Sequence, residues 1–504
     1  MTRIMTNILS NEMRPILLIV VPLGLAFAIP LLGFISKRIA RYVPAAGMLF
    51  NLIVSLSLLP AVLQKPVVVT IGGFPPPIGI NLVAGPLGVG LSSLIALVGL
   101  AVSIYAIGYI REGAQEKYHV LYLLLLTGAT GAVLTGDIFN LFVFYEILCI
   151  SSYALVAYLG DKNGIEAAIK YLIQGAVGSG LILIGIAILY GLFGTLNMAQ
   201  IAQNINSVSS LSIFIPLVLL ITGFGVEAAV FPLNAWLPDA HSSAPSSISA
   251  ILSGIAIKVG IYAVARVIFT IFGASSMFHF LLLLGLLTLL VGEMSAFKQD
   301  NIKRMLAYSS IGQVGLIIFA LGIATQDGIA GGLFQIVSHA LAKSVLFLCV
   351  GYMVYRAGSM EISSMEGMGK RMPILSFAFV IAVLSLIGAP PFAGFPSKFL
   401  IVRAALAKQE MLFTVLISLV LIGTVIEGAY FFRVVQAIYF KGTKAQRHKG
   451  IEGEEAPLSA LIPIFILVIL IVVLGIYPRL VTGVLNSSAA EFLNRLAYIK
   501  GVLG

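Results

Sequence analysis

The chain has 504 residues, 60% of them hydrophobic and only 10% charged, and a mean hydropathy of +1.08. No soluble globule could cover its surface with polar groups from that composition, so lipid is the solvent it is built for. The net charge of +10 does not point to nucleic acid, because the basic residues follow membrane topology. Two isolated cysteines, five scattered histidines and the absence of a CxxC or nucleotide-loop pattern exclude an iron-sulfur, haem or dinucleotide site of its own.

Apolar runs of roughly 20 residues, the length that crosses the hydrocarbon, recur along the whole sequence. About fourteen can be counted, which predicts an all-α polytopic membrane protein. The first, near 15–34, is too long and too poorly flanked for a cleavable signal peptide. A second follows near 42–63. Then comes Lys65–Asn81, "KPVVVTIGGFPPPIGIN", β-branched and then rich in Gly and Pro, which reads as a hairpin outside the membrane. Runs near 82–110, 118–135, 137–159, 167–193, 211–239 and 245–272 lead to the middle of the chain. Those near 277–296, 303–323, 329–357, 374–407, 411–440 and 457–480 complete the set. The stretch 441–456 is the one clearly polar loop, and the weakly amphipathic tail 482–504 is expected on the membrane surface.

Starting the first helix outside places Lys37, Arg38, Arg41, Arg111, Lys117, Lys298, Lys303, Arg356, Lys370, Lys441 and Lys444 on one face. The opposite face receives only a few basic residues, among them Arg14, Lys65, Lys408 and Arg479. By the positive-inside rule the richer face is cytoplasmic, so both termini are expected to be extracytoplasmic in a prokaryotic plasma membrane.

A weak internal symmetry runs through the sequence. "EAAIKYLIQGAVGSGLILIG" and "VSHALAKSVLFLCVGYM" each place a lysine early in an apolar helix. Each is followed by a proline-broken helix, "AAVFPLNAWLPDAH" and "GAPPFAGFPSKFL". Paired broken helices in two halves mark the ion site of many transporters. The expected organisation is an N-terminal three-helix segment (1–117) and two inverted five-helix repeats (118–272 and 273–440). Residues 441–504 supply a cytoplasmic loop, a last transmembrane helix and the tail.

Charges inside these runs cost at least ~2.5–3.5 kcal/mol each at mid-bilayer, so each asks for a reason. Glu146 lies ~14 Å into its helix at 1.5 Å per residue. A buried glutamate bonded to a carbonyl is its plain structural alternative. Glu227 stands just before Pro232. Lys258 is central in "SAILSGIAIKVGIYAVARV", with a structural ion pair as the alternative. His339 and Lys343 share a helix face at i, i+4 and can relay one proton, or His339 simply packs. Lys398 follows the Gly394–Pro396 break, where freed backbone groups can hold water and an ion. Lys170 is a weaker candidate that can snorkel. Arg266, Arg403 and Arg433 stand nearer helix ends and read as anchors. Glu427 is deep without an obvious partner, and Ser309, Ser310 and Gln313 carry polarity into the tenth run.

The tracts "FNLFVFYEIL", "GTLNMAQIA", "PLNAWLPDAHSSAPSSISAILSGIAIKVGIYAVAR" and "IKRMLAYSSIGQVG" resemble the antiporter-like subunits of complex I and, more closely, the D subunit of Mrp-type Na⁺/H⁺ antiporters. Related subunits occur in membrane-bound hydrogenase-type respiratory complexes, and the similarity covers nearly the whole chain. The resemblance implies fourteen helices with two inverted five-helix repeats, each with a broken helix. It gives Glu146 the role of the fifth-helix glutamate, Lys258 that of the eighth-helix lysine, His339 and Lys343 the eleventh-helix relay, and Lys398 the lysine of the broken twelfth helix. Two positions depart from the pattern. Glu227 falls where the family usually has a lysine that pairs with the fifth-helix glutamate, and "VAGPLGVGLSS" lacks an aspartate that complex I relatives often carry. Two carboxylates pair only by sharing a proton, so a basic partner is expected for Glu227, Lys258 first and Lys170 second.

The function expected from these residues is ion translocation, of H⁺ and with it Na⁺/H⁺ exchange, by one membrane component of a multi-subunit respiratory or antiporter complex. No cofactor or metal is expected in this chain; H⁺ and Na⁺ are the candidate transported ions. Expected partners are other membrane subunits, iron-sulfur or nickel-iron-type peripheral subunits if the complex is redox-driven, and the lipid bilayer, with no nucleic acid. Two alternatives stand beside this: an assembly subunit with an impaired ion path, and a stand-alone solute carrier.

Overall fold

The computed structural model describes residues 11–111, 113–440 and 455–504. All but the last two positions of the polar loop expected at 441–456 therefore lie outside the described residues. Among the described residues, thirteen helices are long and apolar enough to cross a membrane. The number is fourteen when the segments Ile362–Arg371 and Pro373–Ile387, bent by 119°, count as one span. The protein is an integral membrane helical bundle.

The helices are α1 (Arg14–Ile35), α2 (Val43–Val62), α3 (Pro86–Tyr109), α4 (Gln115–Leu134), α5 (Ile138–Val156) and α6 (Lys162–Phe193). After α2, β1 (Val67–Thr70) pairs antiparallel with β2 (Asn81–Ala84), Val67 opposite Ala84. That is the hairpin expected from the β-branched, Gly/Pro-rich segment.

The seventh span is broken into α7a (Ser210–Glu227) and α7b (Trp236–Ser243), and is followed by α8 (Ser246–Phe272), α9 (Phe278–Phe297), α10 (Ile302–Gly322) and α11 (Gln326–Ala357). A second broken pair, α12a (Pro373–Ile387) and α12b (Gly394–Leu406), precedes α13 (Met411–Tyr439), α14 (Leu458–Ile476), α15 (Arg479–Leu493) and α16 (Arg495–Leu503). Both breaks hold a cis X–Pro bond, Phe231–Pro232 and Pro390–Pro391.

Helix starts follow local chemistry. Asp137, Asn301 and Thr325 accept hydrogen bonds from the first turns of α5, α10 and α11, satisfying donors that hydrocarbon could not. At the first break, the Trp236 indole donates to the Val226 carbonyl at 2.8 Å, and Gln174 Nε2 donates to the Leu233 carbonyl at 2.6 Å. At the second, Ser385 Oγ accepts from Gly394 N–H at 3.3 Å, and Lys398 Nζ donates to the Ile387 carbonyl at 3.3 Å.

Burial orders the bundle. α8 is enclosed on every side and α10 and α11 nearly so, whereas α1, α2, α6 and α13 turn apolar side chains such as Phe34, Val177 and Val425 outward, as lipid contact requires. The tightest packing joins α9 to α10. A Cβ on Gly285 or Gly292 would strike the backbone at Gly315 or Gly312, so only glycines allow this approach. The C-terminal helix α15 is tied down rather than loose: Glu491 pairs with Arg266 of α8 and accepts from Leu87 N–H at the start of α3 at 3.3 Å. Arg266 is therefore a buried partner, not a helix-end anchor. Arg403 and Arg433 do sit at helix ends, where Arg403 meets Asp327 at 2.7 Å and Arg433 meets Asp300 at 3.5 Å.

Candidate functional site

Glu146 lies on the outward flank of α5, half-buried beside the exposed Phe139, Val143 and Ile150, and Ser179 Oγ of α6 donates to its Oε1. Glu227 closes α7a and is 1% exposed. Its Oε1 accepts from the Tyr171 hydroxyl at 2.7 Å, and Cys149 Sγ–H approaches Oε2 at 3.5 Å. Tyr171 is held by stacking on Trp236, with ring centroids 3.8 Å apart and planes 3° from parallel.

The basic partner expected for Glu227 is not there: among the described residues it forms no ion pair, and neutral donors satisfy it. The geometry explains why. Lys258 is turned to α11. Lys170 sits early in α6 with its side chain 52% exposed, bound to Glu166 at 2.7 Å and Asp239 at 3.2 Å. Arg304 holds the other oxygen of Asp239 at 2.6 Å, and these residues line a surface cavity of about 460 Å³.

The interior of the bundle is occupied by Lys258, His339 and Lys343, each 3% exposed or less. α8 opens into a π-helical turn at Leu252–Ala256, which frees a carbonyl inside the ladder, and Lys258 Nζ donates to that of Ser253. The same Nζ stands 2.6 Å from His339 Nδ1. Lys343, one turn further along α11, donates to the Leu306 carbonyl of α10 at 2.9 Å and lies over the Phe431 ring at 5.7 Å.

Gln335, His339 and Lys343 recur at i, i+4 and i+8, a stripe ~12 Å long on one face of α11. From Gln335 a hydrogen-bonded line continues. Its amide donates to Gln313 Oε1, and Gln313 donates to Glu427 Oε1 at 2.7 Å. Glu427 Oε2 pairs with Lys398 Nζ at 2.9 Å, and Ser397 closes back on Gln335. Glu427 thus has the partner its sequence context did not disclose, and Lys398 sits where the freed C-terminal carbonyl of α12a meets a cation.

Of the residues singled out from sequence, Lys258, His339 and Lys343 come together, as do Lys398 and Glu427. Glu146 and Glu227 stand apart with hydroxyl and thiol partners, and Lys170 belongs to the surface cluster. Among the described residues, buried groups that the sequence did not disclose include Lys303, assigned to the cytoplasmic face, whose Nζ donates to the Ala244 carbonyl at 2.6 Å, and two more. His241 of α7b is fully buried against Phe347, ring centroids 4.7 Å apart, with both ring nitrogens lacking a hydrogen-bond partner. Glu293 of α9 is 2% exposed and accepts from Tyr430 at 2.8 Å. A carboxylate alone in the run "FHFLLLLGLLTLLVGEMSAF" was the available signal for Glu293. Among the described residues no group of three or more His, Cys, Asp or Glu could hold a metal ion. What the arrangement offers chemically is a set of buried acids and bases joined by amides and hydroxyls.

Comparison with known proteins gives these residues a family. Residues 135–426 match the family described as NADH:quinone oxidoreductase/Mrp antiporter, TM. The chain is 36% identical over 482 residues to the N subunit of the NADH-quinone oxidoreductase of Desulforudis audaxviator, covering 92% of this chain and 95% of that protein. It is 32% identical over 469 residues to the D subunit of the Na⁺/H⁺ antiporter of Alkalihalophilus pseudofirmus, covering 92% and 94%. In structure it resembles a chain of the membrane-bound sulfane sulfur reductase, an archaeal respiratory membrane complex, with 38% identity, a TM-score of 0.89, and 97% and 99% of the two chains covered. A chain of the Mrp complex from Dietzia shares the fold, with a TM-score of 0.88 at 24% identity over 97% and 99% of the two chains. The chain belongs to the NADH:quinone oxidoreductase/Mrp antiporter transmembrane family.

Proposed function

We propose that this protein is the ion-translocating membrane component of a multi-subunit respiratory or antiporter complex. In this reading it moves protons along its buried polar line and exchanges them for Na⁺ where the complex is an antiporter. The observation that carries it is the pairing of Lys258 with His339 at 2.6 Å, on the same α11 stripe as Gln335, which leads to the Lys398–Glu427 pair. Such groups can take up and release protons without exposing a lone charge to hydrocarbon. Two cations strongly repel each other at the Lys258–His339 distance, so in this reading the pair holds at most one proton charge at a time. Each charge moved against the membrane potential requires ~2.3 kcal/mol per 100 mV.

In this reading α4–α8 and α9–α13 are the two inverted repeats, and Glu146, Glu227, Lys258, His339, Lys343 and Lys398 carry protons, while Lys170 serves the surface cavity. The basic-rich face is cytoplasmic and both termini are extracytoplasmic in a prokaryotic plasma membrane. The partners are further membrane subunits, with iron-sulfur or nickel-iron-type peripheral subunits if the driving force is redox. Support comes from the names of the relatives and from their multi-subunit assemblies. The genes next to this one distinguish redox drive, which requires such subunits, from secondary exchange, which does not. The direct test is proton transport by the complete complex in inverted membrane vesicles after Glu146→Gln and, separately, Lys258→Ala. Unchanged transport in both, with normal assembly, would sink the reading in favour of an assembly role.

A further inference from the structure

Glu293 is a buried carboxylate that neither the Lys258–His339 pair nor the hydrogen-bonded line from Gln335 to Lys398 uses. It forms no ion pair among the described residues, and its Oε2 accepts one hydrogen bond, from Tyr430 at 2.8 Å. A carboxylate enclosed without a cation is costly, so a purely packing role is a poor explanation for it. Room is kept for it by one glycine: Gly312 of α10 faces it, and a Cβ there would fall on its carboxyl group. The charges acting on it are Glu427, Lys398 and Lys343.

The partner of Glu293 sits on a ladder. Glu427, Tyr430 and Arg433 follow at i, i+3 and i+6 on α13, a row that slants around the helix with each residue next to the one before it. Its inner rung is the Lys398–Glu427 pair. Its outer rung, Arg433, binds the Gln299 carbonyl and lines a surface cavity of about 230 Å³ with Asp300, Glu361, Ser363 and Glu366. Tyr430 and Glu293 lie between the two.

We propose that Tyr430 and Glu293 form a side route by which protons pass between this acidic surface cavity and the Lys398–Glu427 pair. The proposal rests on the ion-translocation reading above. The Tyr430 hydroxyl gives its proton to Glu293 Oε2 while its oxygen accepts another from the cavity side. The Glu293 carboxyl passes its proton to Glu427 and returns to the anion. One proton enters and one leaves, with no other bond changed.

The experiment uses the complete complex in inverted vesicles and compares Glu293→Gln, Glu293→Asp and Tyr430→Phe with Lys258→Ala. The proposal expects Glu293→Gln to lower proton translocation at least about tenfold, Tyr430→Phe to lower it as well, and Glu293→Asp to restore part of it, all with normal assembly. Full activity of Glu293→Gln and Tyr430→Phe alongside an inactive Lys258→Ala would overturn the side route and leave the ion-translocation reading standing. Full activity in all three would remove both. Should Glu293→Gln fail to assemble, Ser363→Cys at the cavity mouth takes its place, since the native Cys149 and Cys349 are buried. A bulky membrane-impermeant thiol reagent on the Ser363→Cys variant then slows translocation if the route is used, and unchanged flux refutes it.

Discussion

Lys258 Nζ and His339 Nδ1 are 2.6 Å apart, a side-chain bridge between the enclosed helices α8 and α11. Lys258 is 3% and His339 0% exposed, so the bridge is closed off from the surface. If they act as one proton-carrying unit, Lys258→Ala and His339→Ala each lower transport by about tenfold or more. The double variant then adds little, because partners in direct contact couple by roughly 0.5–3 kcal/mol. Transport rates of the four variants in a double-mutant cycle check this, and strictly multiplicative losses would argue that the bridge is only structural.

The Lys398–Glu427 pair makes a different prediction because it is closed off, with side chains 13% and 1% exposed. Removing one partner leaves a buried charge uncompensated. Lys398→Met should therefore destabilise the protein by about 3–5 kcal/mol, whereas Lys398→Met with Glu427→Gln recovers most of that loss. Thermal unfolding of the detergent-solubilised complex measures both, and the recovered double variant should still fail to transport protons.

The helical class, the span count, the hairpin and both broken helices were legible because hydrophobic runs and proline breaks are local properties of sequence. The stripe His339–Lys343 was legible for the same reason: i, i+4 spacing fixes a helix face. Partners were not, because they come from helices remote in sequence. Nothing local tells that Glu427 meets Lys398 29 positions earlier, or that Gln313 joins it from 114 positions away. Glu293 stands at the end of an apolar run that hides it, and Arg266 resembles an anchor because its distance to the helix end is local whereas Glu491 lies 225 positions away. For Glu227 a lysine partner is expected because two carboxylates pair only by sharing a proton, and the fold supplies a tyrosine.

The Arg266–Glu491 pair ties the last helices to the bundle. Arg266 is 2% exposed, bonded to the Tyr262 hydroxyl at 2.9 Å and lying 5.1 Å from the Tyr498 ring centroid. Glu491→Ala should cost about 3–5 kcal/mol, the loss expected when one half of a buried pair is removed. Loosened α15 and α16 should also become protease-sensitive. Limited proteolysis of the variant in membranes, followed by detection of the C-terminus, tests both effects; a protected tail at unchanged stability would contradict them.

Glu227 is an enclosed carboxylate in the first half of the chain, 1% exposed. Tyr171 donates to it at 2.7 Å, and Cys149, which reaches its other oxygen, stands one turn from Glu146 on α5. Cys149 is thus near both carboxyl groups, and among the described residues neither of them forms an ion pair. Glu227→Leu should cost about 1–3 kcal/mol by leaving the buried Tyr171 hydroxyl unpaired, whereas Glu227→Gln keeps an acceptor and should stay within about 1 kcal/mol of the parent. If Glu227 carries a proton, both variants lose transport despite that difference in stability. Glu227→Lys puts at that position the lysine that the resemblance implies, with Glu146 as its expected partner. Its stability should then lie nearer the parent than that of Glu227→Leu, with part of the transport retained. Thermal unfolding and vesicle transport on the three variants separate these outcomes: normal transport in Glu227→Leu would show that the carboxyl is dispensable.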